Sequence, residues 1–260
     1  MKSLLLGLCF LTATLSLSAR QTYALVVGIG DYQRMEPGQG DLNYTTKDAL
    51  LFADFLATRA GNPVPGHQII YLINEQATRA NILGAVREIA RRSTSEDEIV
   101  FYFSGHGVKN HLVPYEGTYH HDLLPYDDLL AELKKCAATT KWVVVDACHS
   151  DSIRPKKKQA AASSDTPSRP RTDNVILMVS SQSYQKSTEY GLFQQGLFSY
   201  FLIDGLRGHA DADEDGQVTV RELHYHIEAK VKGFSKGFQE PQTFGVFDQN
   251  YVLARAEVQP

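Results

Sequence analysis

Short apolar runs alternate with amphipathic helical segments along most of this chain, and this order constrains the fold more than any other feature. Runs rich in β-branched and aromatic residues, typical of buried strands, lie at 23–29, 68–73, 99–103, 142–145 and 175–179. Segments with the apolar spacing of a helix lie at 48–60, 78–92, 126–137, 193–206 and 220–231, and 246–253 predicts an edge strand. Such alternation predicts an α/β fold with a mostly parallel central sheet covered by helices on both faces.

Residues 1–19 have the features of a secretory signal peptide. Lys2 supplies the positive start, an apolar stretch follows, and small residues, including Ala19, stand where cleavage would occur. The apolar stretch is short for a membrane span. We therefore expect a secreted or periplasmic protein with no membrane attachment after signal removal; a retained anchor is the alternative.

Charge and cysteine content narrow the partners and the chemistry. A formal net charge of −4 argues against nucleic acid as a partner. Cys136 and Cys148 would remain after processing, and an exported protein could pair them. A strand of about six residues at ~3.3 Å each separates them, which is farther than a disulfide spans. We expect Cys148 to be free and Cys136 to be a buried apolar residue.

Two of the apolar runs end at residues that can do acid–base or nucleophilic chemistry. His106 follows the run 99–103, and Cys148 follows the run 142–145. Catalytic groups collect at the carboxyl ends of the strands of parallel sheets, so neighbouring strands would form a thiol–imidazole dyad. The backbone N–H groups of Gly107 and Cys148 are then candidate oxyanion donors. The alternative for each residue alone is a buried structural role.

These residues resemble the two catalytic signatures of the caspase-like clan, on its metacaspase and bacterial caspase-homologue side. The resemblance implies a caspase-like α/β/α sandwich over 20–260, with His106 as general base and Cys148 as nucleophile of a thiol endopeptidase. It implies protein or peptide substrates, no cofactor required for the chemistry and a monomer. The resemblance rests on 102–107 (YFSGHG), 146–150 (DACHS), 25–29 (LVVGI), 191–206 with 208–211, and 239–243 (QEPQT).

The same resemblance suggests cleavage after Arg or Lys. Asp146 and Ser104 match positions that line the primary pocket of metacaspase-like enzymes, where carboxylates hold the basic side chain. The alternative is that Asp146 caps the following loop. The stretch 180–185 departs from the pattern, because it has no acidic residue where metacaspases often carry one.

Two further segments have their own predictions. Residues 154–172 are basic, lack apolar periodicity and predict a flexible loop, either a site of self-cleavage or a solvated linker. The segment 208–232 resembles an EF-hand, and its loop 211–222 fits the calcium pattern. The alternative is an acidic surface turn. The expected calcium ligands are Asp211, Asp213, Asp215, the carbonyl of Gln217, and Glu222.

Two other functions stay open at the level of sequence. One is a catalytically silent caspase-like domain that acts as a binding or scaffold protein. The other is a calcium-responsive interaction module centred on the loop 211–222. Labelling of Cys148 by an active-site thiol probe would favour the enzyme, and calcium-dependent partner binding that survives loss of Cys148 would favour the module.

Overall fold

The computed structural model describes residues 20–35, 41–60, 62–147, 174–180, 189–190 and 193–256. The predicted signal peptide, Cys148 and the predicted basic loop 154–172 lie outside these residues. Within the described part of the chain, no helix combines the length and the hydropathy needed to cross a membrane.

A six-stranded sheet forms the centre of the described structure, with the strand order β12-β8-β7-β3-β1-β2. Five strands run parallel, and β12 pairs antiparallel with β8 at one edge. The mixed α/β architecture with a mostly parallel sheet is therefore confirmed. The strands of this sheet are β1 Thr22–Gly28, β2 Ile69–Ile73, β3 Glu98–Ser104, β7 Thr140–Asp146, β8 Asn174–Val179 and β12 Gln242–Val246.

Helices cover both faces of the sheet because successive strand side chains point to opposite sides. One face carries Val26, Tyr102 and Trp142, which share an apolar cluster with residues of α1, α4 and α5. The other face carries Val27 and Phe101, which pack with residues of α2 and α3. The helices are α1 Thr45–Thr58, α2 Arg79–Arg92, α3 Tyr126–Lys135, α4 Leu197–Asp204 and α5 Val220–Phe234.

Small sheets connect these layers. The strands β4, β5 and β6 form an antiparallel sheet just after β3, and β11 pairs with β13 beside α5. Their bounds are β4 Gly107–Val108, β5 His111–Leu112, β6 Leu124–Pro125, β9 Glu189–Tyr190, β10 Gln195–Gly196, β11 Gln217–Thr219 and β13 Val252–Arg255.

The structure corrects two of the predicted elements. The single edge strand expected over 246–253 is wrong: β12 ends at Val246 in the main sheet and β13 begins at Val252 in a separate sheet. The helix expected over 193–206 begins only at Leu197, because Gln195–Gly196 pairs with Glu189–Tyr190 instead. It then continues into a π-helical turn, Gly205–His209. Pairing with Glu189–Tyr190 therefore overrode helical periodicity at 195–196, and pairing with two different strands, β8 and β11, divided the strand predicted over 246–253.

Candidate active site

The strand that leads to His106 and the strand that leads to Cys148 are neighbours. In the parallel register of β3 and β7, Ser104 lies opposite Asp146, and the Gly105 N–H donates to the Asp146 carbonyl at 3.2 Å. His106 follows Ser104 by two residues, and Cys148 follows Asp146 by two. Both segments therefore leave the sheet at the same place, the carboxyl ends of β3 and β7, which we call the rim. The position of the Cys148 thiol lies outside the described residues.

Tyr32, from the segment after β1, holds the backbone of His106. The His106 N–H donates to the Tyr32 hydroxyl at 2.6 Å, and the two rings lie with their centroids 4.9 Å apart. Gly105 makes room for this contact, because a Cβ there would come within 2.7 Å of the same hydroxyl. The Gly-His-Gly motif thus serves close packing against a buried tyrosine.

Tyr119 reaches the imidazole of His106 from the solvent side. Its hydroxyl lies 3.3 Å from His106 Nε2, and the rings meet edge to face with centroids 5.3 Å apart. The loop that carries Tyr119 is tied to the segment that carries Tyr32. The ties are the hydrogen bond from the Gln33 N–H to the Tyr115 carbonyl at 3.0 Å and the ion pair between Arg34 and Asp122. Two linked segments therefore fix the environment of His106.

Ser180, at the end of β8, holds the backbone immediately before Cys148. Its fully buried hydroxyl accepts from the Ala147 N–H at 3.1 Å and donates to the Ala147 carbonyl at 3.2 Å. The Ser180 N–H donates to the Val145 carbonyl at 3.0 Å, and the Gln239 side-chain amide donates to the Ser180 carbonyl at 2.9 Å. These bonds fix the backbone of the residues immediately before the predicted nucleophile.

Two buried carboxylates meet beneath the same rim. Asp146 is 6% exposed and Asp48, from α1, is 1% exposed. A Cβ on Gly196 would lie 2.8 Å from Asp146 Oδ2 and 2.9 Å from Asp48 Oδ2, so both carboxylates border this glycine. The Gly196 N–H donates to Asp48 at 2.9 Å, and the Ser199 hydroxyl donates to Asp146 at 2.6 Å. Two carboxylates buried this close together are costly unless hydrogen-bond donors such as these compensate their charge.

The remaining predicted residues of this region lie nearby. Ser104 is 1% exposed at the end of β3. Gly107 is buried and begins β4. Burial, and after it the charges of Asp48 and Asp146, raise the pKa of Tyr102 well above its ordinary value. Tyr102 therefore remains a protonated hydrogen-bond donor beside the two carboxylates.

The acidic loop 211–222 lies apart from this rim, between α4 and α5. Carboxylate oxygens of Asp211, Asp213 and Asp215 lie within 4.8 Å of one another, which a divalent cation could bridge. Glu222 instead accepts from the N–H and hydroxyl of Thr219, where it caps α5, and from the Ala212 N–H at 3.1 Å. The three predicted aspartate ligands therefore lie close together, whereas the predicted ligand Glu222 also caps α5.

Sequence reasoning missed several residues of the candidate site. Ser180 carries a usable signal, since it follows an apolar strand as His106 and Cys148 do. Asp48 and Ser199 carry none, because they lie within predicted helical segments where a polar residue is expected at the surface. Tyr32 carries none, because it lies in the connection after β1 and its contact with His106 depends on the tertiary structure. Only the tertiary structure brings them to the rim.

Comparison with known proteins agrees with this geometry. A family model for the caspase domain, Peptidase C14, matches residues 21–251. Because that match covers most of the chain, the protein belongs to the caspase-domain family of peptidases. Its fold is similar to the crystal structure of protein GSU0716 from Geobacter sulfurreducens, at 20% identity, 91% of this chain, 100% of that chain and a TM-score of 0.62. No curated protein matches the sequence.

Proposed function

We propose that this protein is a cysteine endopeptidase in which His106 and Cys148 form the catalytic dyad. The observation that carries the proposal is the register of β3 and β7, which places Ser104 opposite Asp146 and sends both catalytic segments out of one rim. The tight packing around His106 and Ala147 supports it, because a dyad requires groups held within a fraction of an ångström.

The proposed reaction uses only groups of the chain and water. The Cys148 thiolate attacks the scissile carbonyl carbon, and the negative charge moves to the carbonyl oxygen, where the N–H groups of Gly107 and Cys148 stabilise it. Protonated His106 gives its proton to the leaving amine. Neutral His106 then takes a proton from water, whose oxygen attacks the thioester, and the acid leaves as the Cys148 thiolate forms again beside protonated His106.

We propose that the substrate side chain before the cleaved bond is Arg or Lys. Asp48 and Asp146 concentrate two carboxylates beside Gly196, close to the rim from which Cys148 emerges, and Ser104 lies next to them. A guanidinium or ammonium group would neutralise this buried charge. An Asp side chain would add a third negative charge to the same place.

Peptide hydrolysis tests both parts of the proposal. Fluorogenic peptides that differ only in a terminal Arg, Lys or Asp are compared for the purified protein and for Cys148→Ala. We expect hydrolysis of the Arg and Lys peptides and loss of all hydrolysis in Cys148→Ala. A preference for Asp would overturn the assignment of specificity. Absence of hydrolysis together with a Cys148 that no thiol probe labels would favour the scaffold function.

We also propose that the loop 211–222 binds calcium. The closeness of the three aspartates supports this, as does the arrangement of the loop between α4 and α5, with Gly216 at a positive φ of 81° where the loop turns sharply. Export of the protein and its monomeric state stay predictions from the sequence.

A further inference from the structure

A chain of two buried hydroxyl groups ends at Asp146. The Ser199 hydroxyl of α4 donates to Asp146 Oδ2 at 2.6 Å, and the Tyr102 hydroxyl of β3 lies 2.6 Å from the same Ser199 oxygen. A serine hydroxyl has one proton, and Ser199 donates it in the hydrogen bond to Asp146. Tyr102 must therefore donate to Ser199, and the direction of every bond in the chain is determined.

Nothing in the packing of the core requires this chain. Ser199 is fully buried on a helix whose neighbouring positions are apolar, among them Leu197, Phe198 and Leu202. A hydroxyl buried there is costly unless it is hydrogen-bonded, and alanine would satisfy an apolar layer at lower cost. Ser199 is thus explained by its hydrogen bond to the carboxylate, and Tyr102 by its hydrogen bond to Ser199, rather than by the apolar layer in which they lie.

We infer that Ser199 and Tyr102 are positioning residues for substrate specificity, which hold the Asp146 carboxylate in one orientation for a basic side chain. This inference rests on the proposed preference for Arg or Lys. Among the described residues, the groups that face Asp146 include Asp48 from α1, Ser199 from α4 and, through Ser199, Tyr102 from β3.

Two substitutions at Ser199 separate orientation of the carboxylate from general damage to the fold. Ser199→Ala removes the donor, and Ser199→Thr keeps it. Tyr102→Phe removes the second donor while it preserves the ring, which stacks on Phe52 with centroids 4.4 Å apart. Tyr200→Phe is the matched control, because it removes a phenol hydroxyl from the next position of α4 and leaves the stacked ring on Phe193.

Binding of agmatine, a small guanidinium compound, tests the inference without catalysis. Calorimetry is done on Cys148→Ala protein, and thermal unfolding verifies that each variant is folded. We expect Ser199→Ala to weaken agmatine binding roughly tenfold, Tyr102→Phe to weaken it less, and Ser199→Thr and Tyr200→Phe to leave it unchanged. If Ser199→Ala does not fold, Tyr102→Phe provides the same test.

A double-mutant cycle with Asp146→Asn adds the readout that a merely structural role would not give. If Ser199 acts through the carboxylate, Ser199→Ala has no further effect on agmatine binding once Asp146 is asparagine. Equal affinity in Ser199→Ala and Ser199→Thr, or additive effects in the cycle, would overturn the inference alone. Absence of agmatine binding in the Cys148→Ala parent would overturn the basic pocket and the inference with it. The dyad is judged separately, by labelling of Cys148.

Discussion

At the scale of single residues, His106 is held from two sides by tyrosines of different segments. The bond from its N–H to Tyr32 fixes the backbone, and Tyr119 meets the imidazole itself. In the proposed mechanism His106 is the general base, and a base held in a fixed position loses little entropy when it reaches the transition state. The residues around His106 are therefore as informative about function as His106 itself.

Tyr32→Phe should lower activity more than it lowers stability. The change leaves the His106 N–H without its hydroxyl partner and costs about 1–3 kcal/mol, some of it expressed as displacement of the catalytic loop. We expect kcat for an Arg peptide to fall by roughly tenfold with a smaller change in KM. An unchanged kcat would show that the Tyr32 bond does not position His106. Tyr71→Phe, at an exposed tyrosine on β2, serves as the control.

At the scale of secondary-structure elements, the central strands could be predicted from sequence because their signal is local. Each buried strand is a short apolar run, and the register that places Ser104 opposite Asp146 follows from the rule that parallel strands end together. The break between β12 and β13 was missed although Asp248 and Asn250 are turn residues. The Asn250 N–H donates to Asp248 Oδ1 at 2.9 Å, which reverses the chain there.

The acidic loop between α4 and α5 should bind calcium in a way that depends on charge and not on loop shape. Asp213→Asn keeps an oxygen for its bond to the Asp215 N–H and removes one negative charge. We expect calorimetry to show calcium binding at ~10⁻⁴–10⁻³ M for the unmodified protein and much weaker binding for Asp213→Asn.

Asp248→Asn provides the control for the calcium measurement. Its carboxylate accepts a backbone N–H two residues later, just as that of Asp213 does, but outside the cluster. We expect it to bind calcium like the unmodified protein. No heat at millimolar calcium, or equal loss of binding in both variants, would show that the loop is only an acidic turn.

At the scale of the whole molecule, Arg59 joins four segments at the amino ends of β1 and β3, the end of the sheet opposite the candidate site. Its guanidinium reaches Glu98 Oε2 and Thr22 Oγ1, each at 3.2 Å, and the Leu253 carbonyl at 3.1 Å, and its Nε donates to the Asn62 carbonyl. No sequence pattern predicts this arrangement, because a charged residue at the end of a helix is normally solvated. Only the completed fold buries it.

Arg59→Met should destabilise the protein strongly, while Arg87→Met should not. The Arg59 and Glu98 side chains are 4% and 3% exposed, so loss of the cation leaves a buried carboxylate and costs about 3–5 kcal/mol. Arg87 is 58% exposed in its pair with Glu132, and its loss costs about 1 kcal/mol or less. Denaturant unfolding measures both, and equal effects would contradict the ordering.

Some residues of the candidate site could be predicted from the sequence, and others could not. His106 and Cys148 are predicted from their positions after strands, and Asp146 and Ser104, the last residues of β7 and β3, are predicted from the family resemblance. Asp48 and Ser199 could not, because a buried polar residue on a helix has the same spacing as an exposed one until the partner element is known. The arrangement of a specificity pocket is therefore a property of the assembled layers.

Alkylation of Cys148 by iodoacetamide across pH tests the central claim most directly, with each cysteine followed by peptide mapping. Cys136 is an internal control, because it is 4% exposed and burial raises the pKa of its thiol. We predict that Cys148 reacts well below the pH at which ordinary thiols react, that His106→Ala shifts this reaction to higher pH, and that Cys136 stays unmodified. The same pH profile for Cys148 with and without His106 would contradict the dyad.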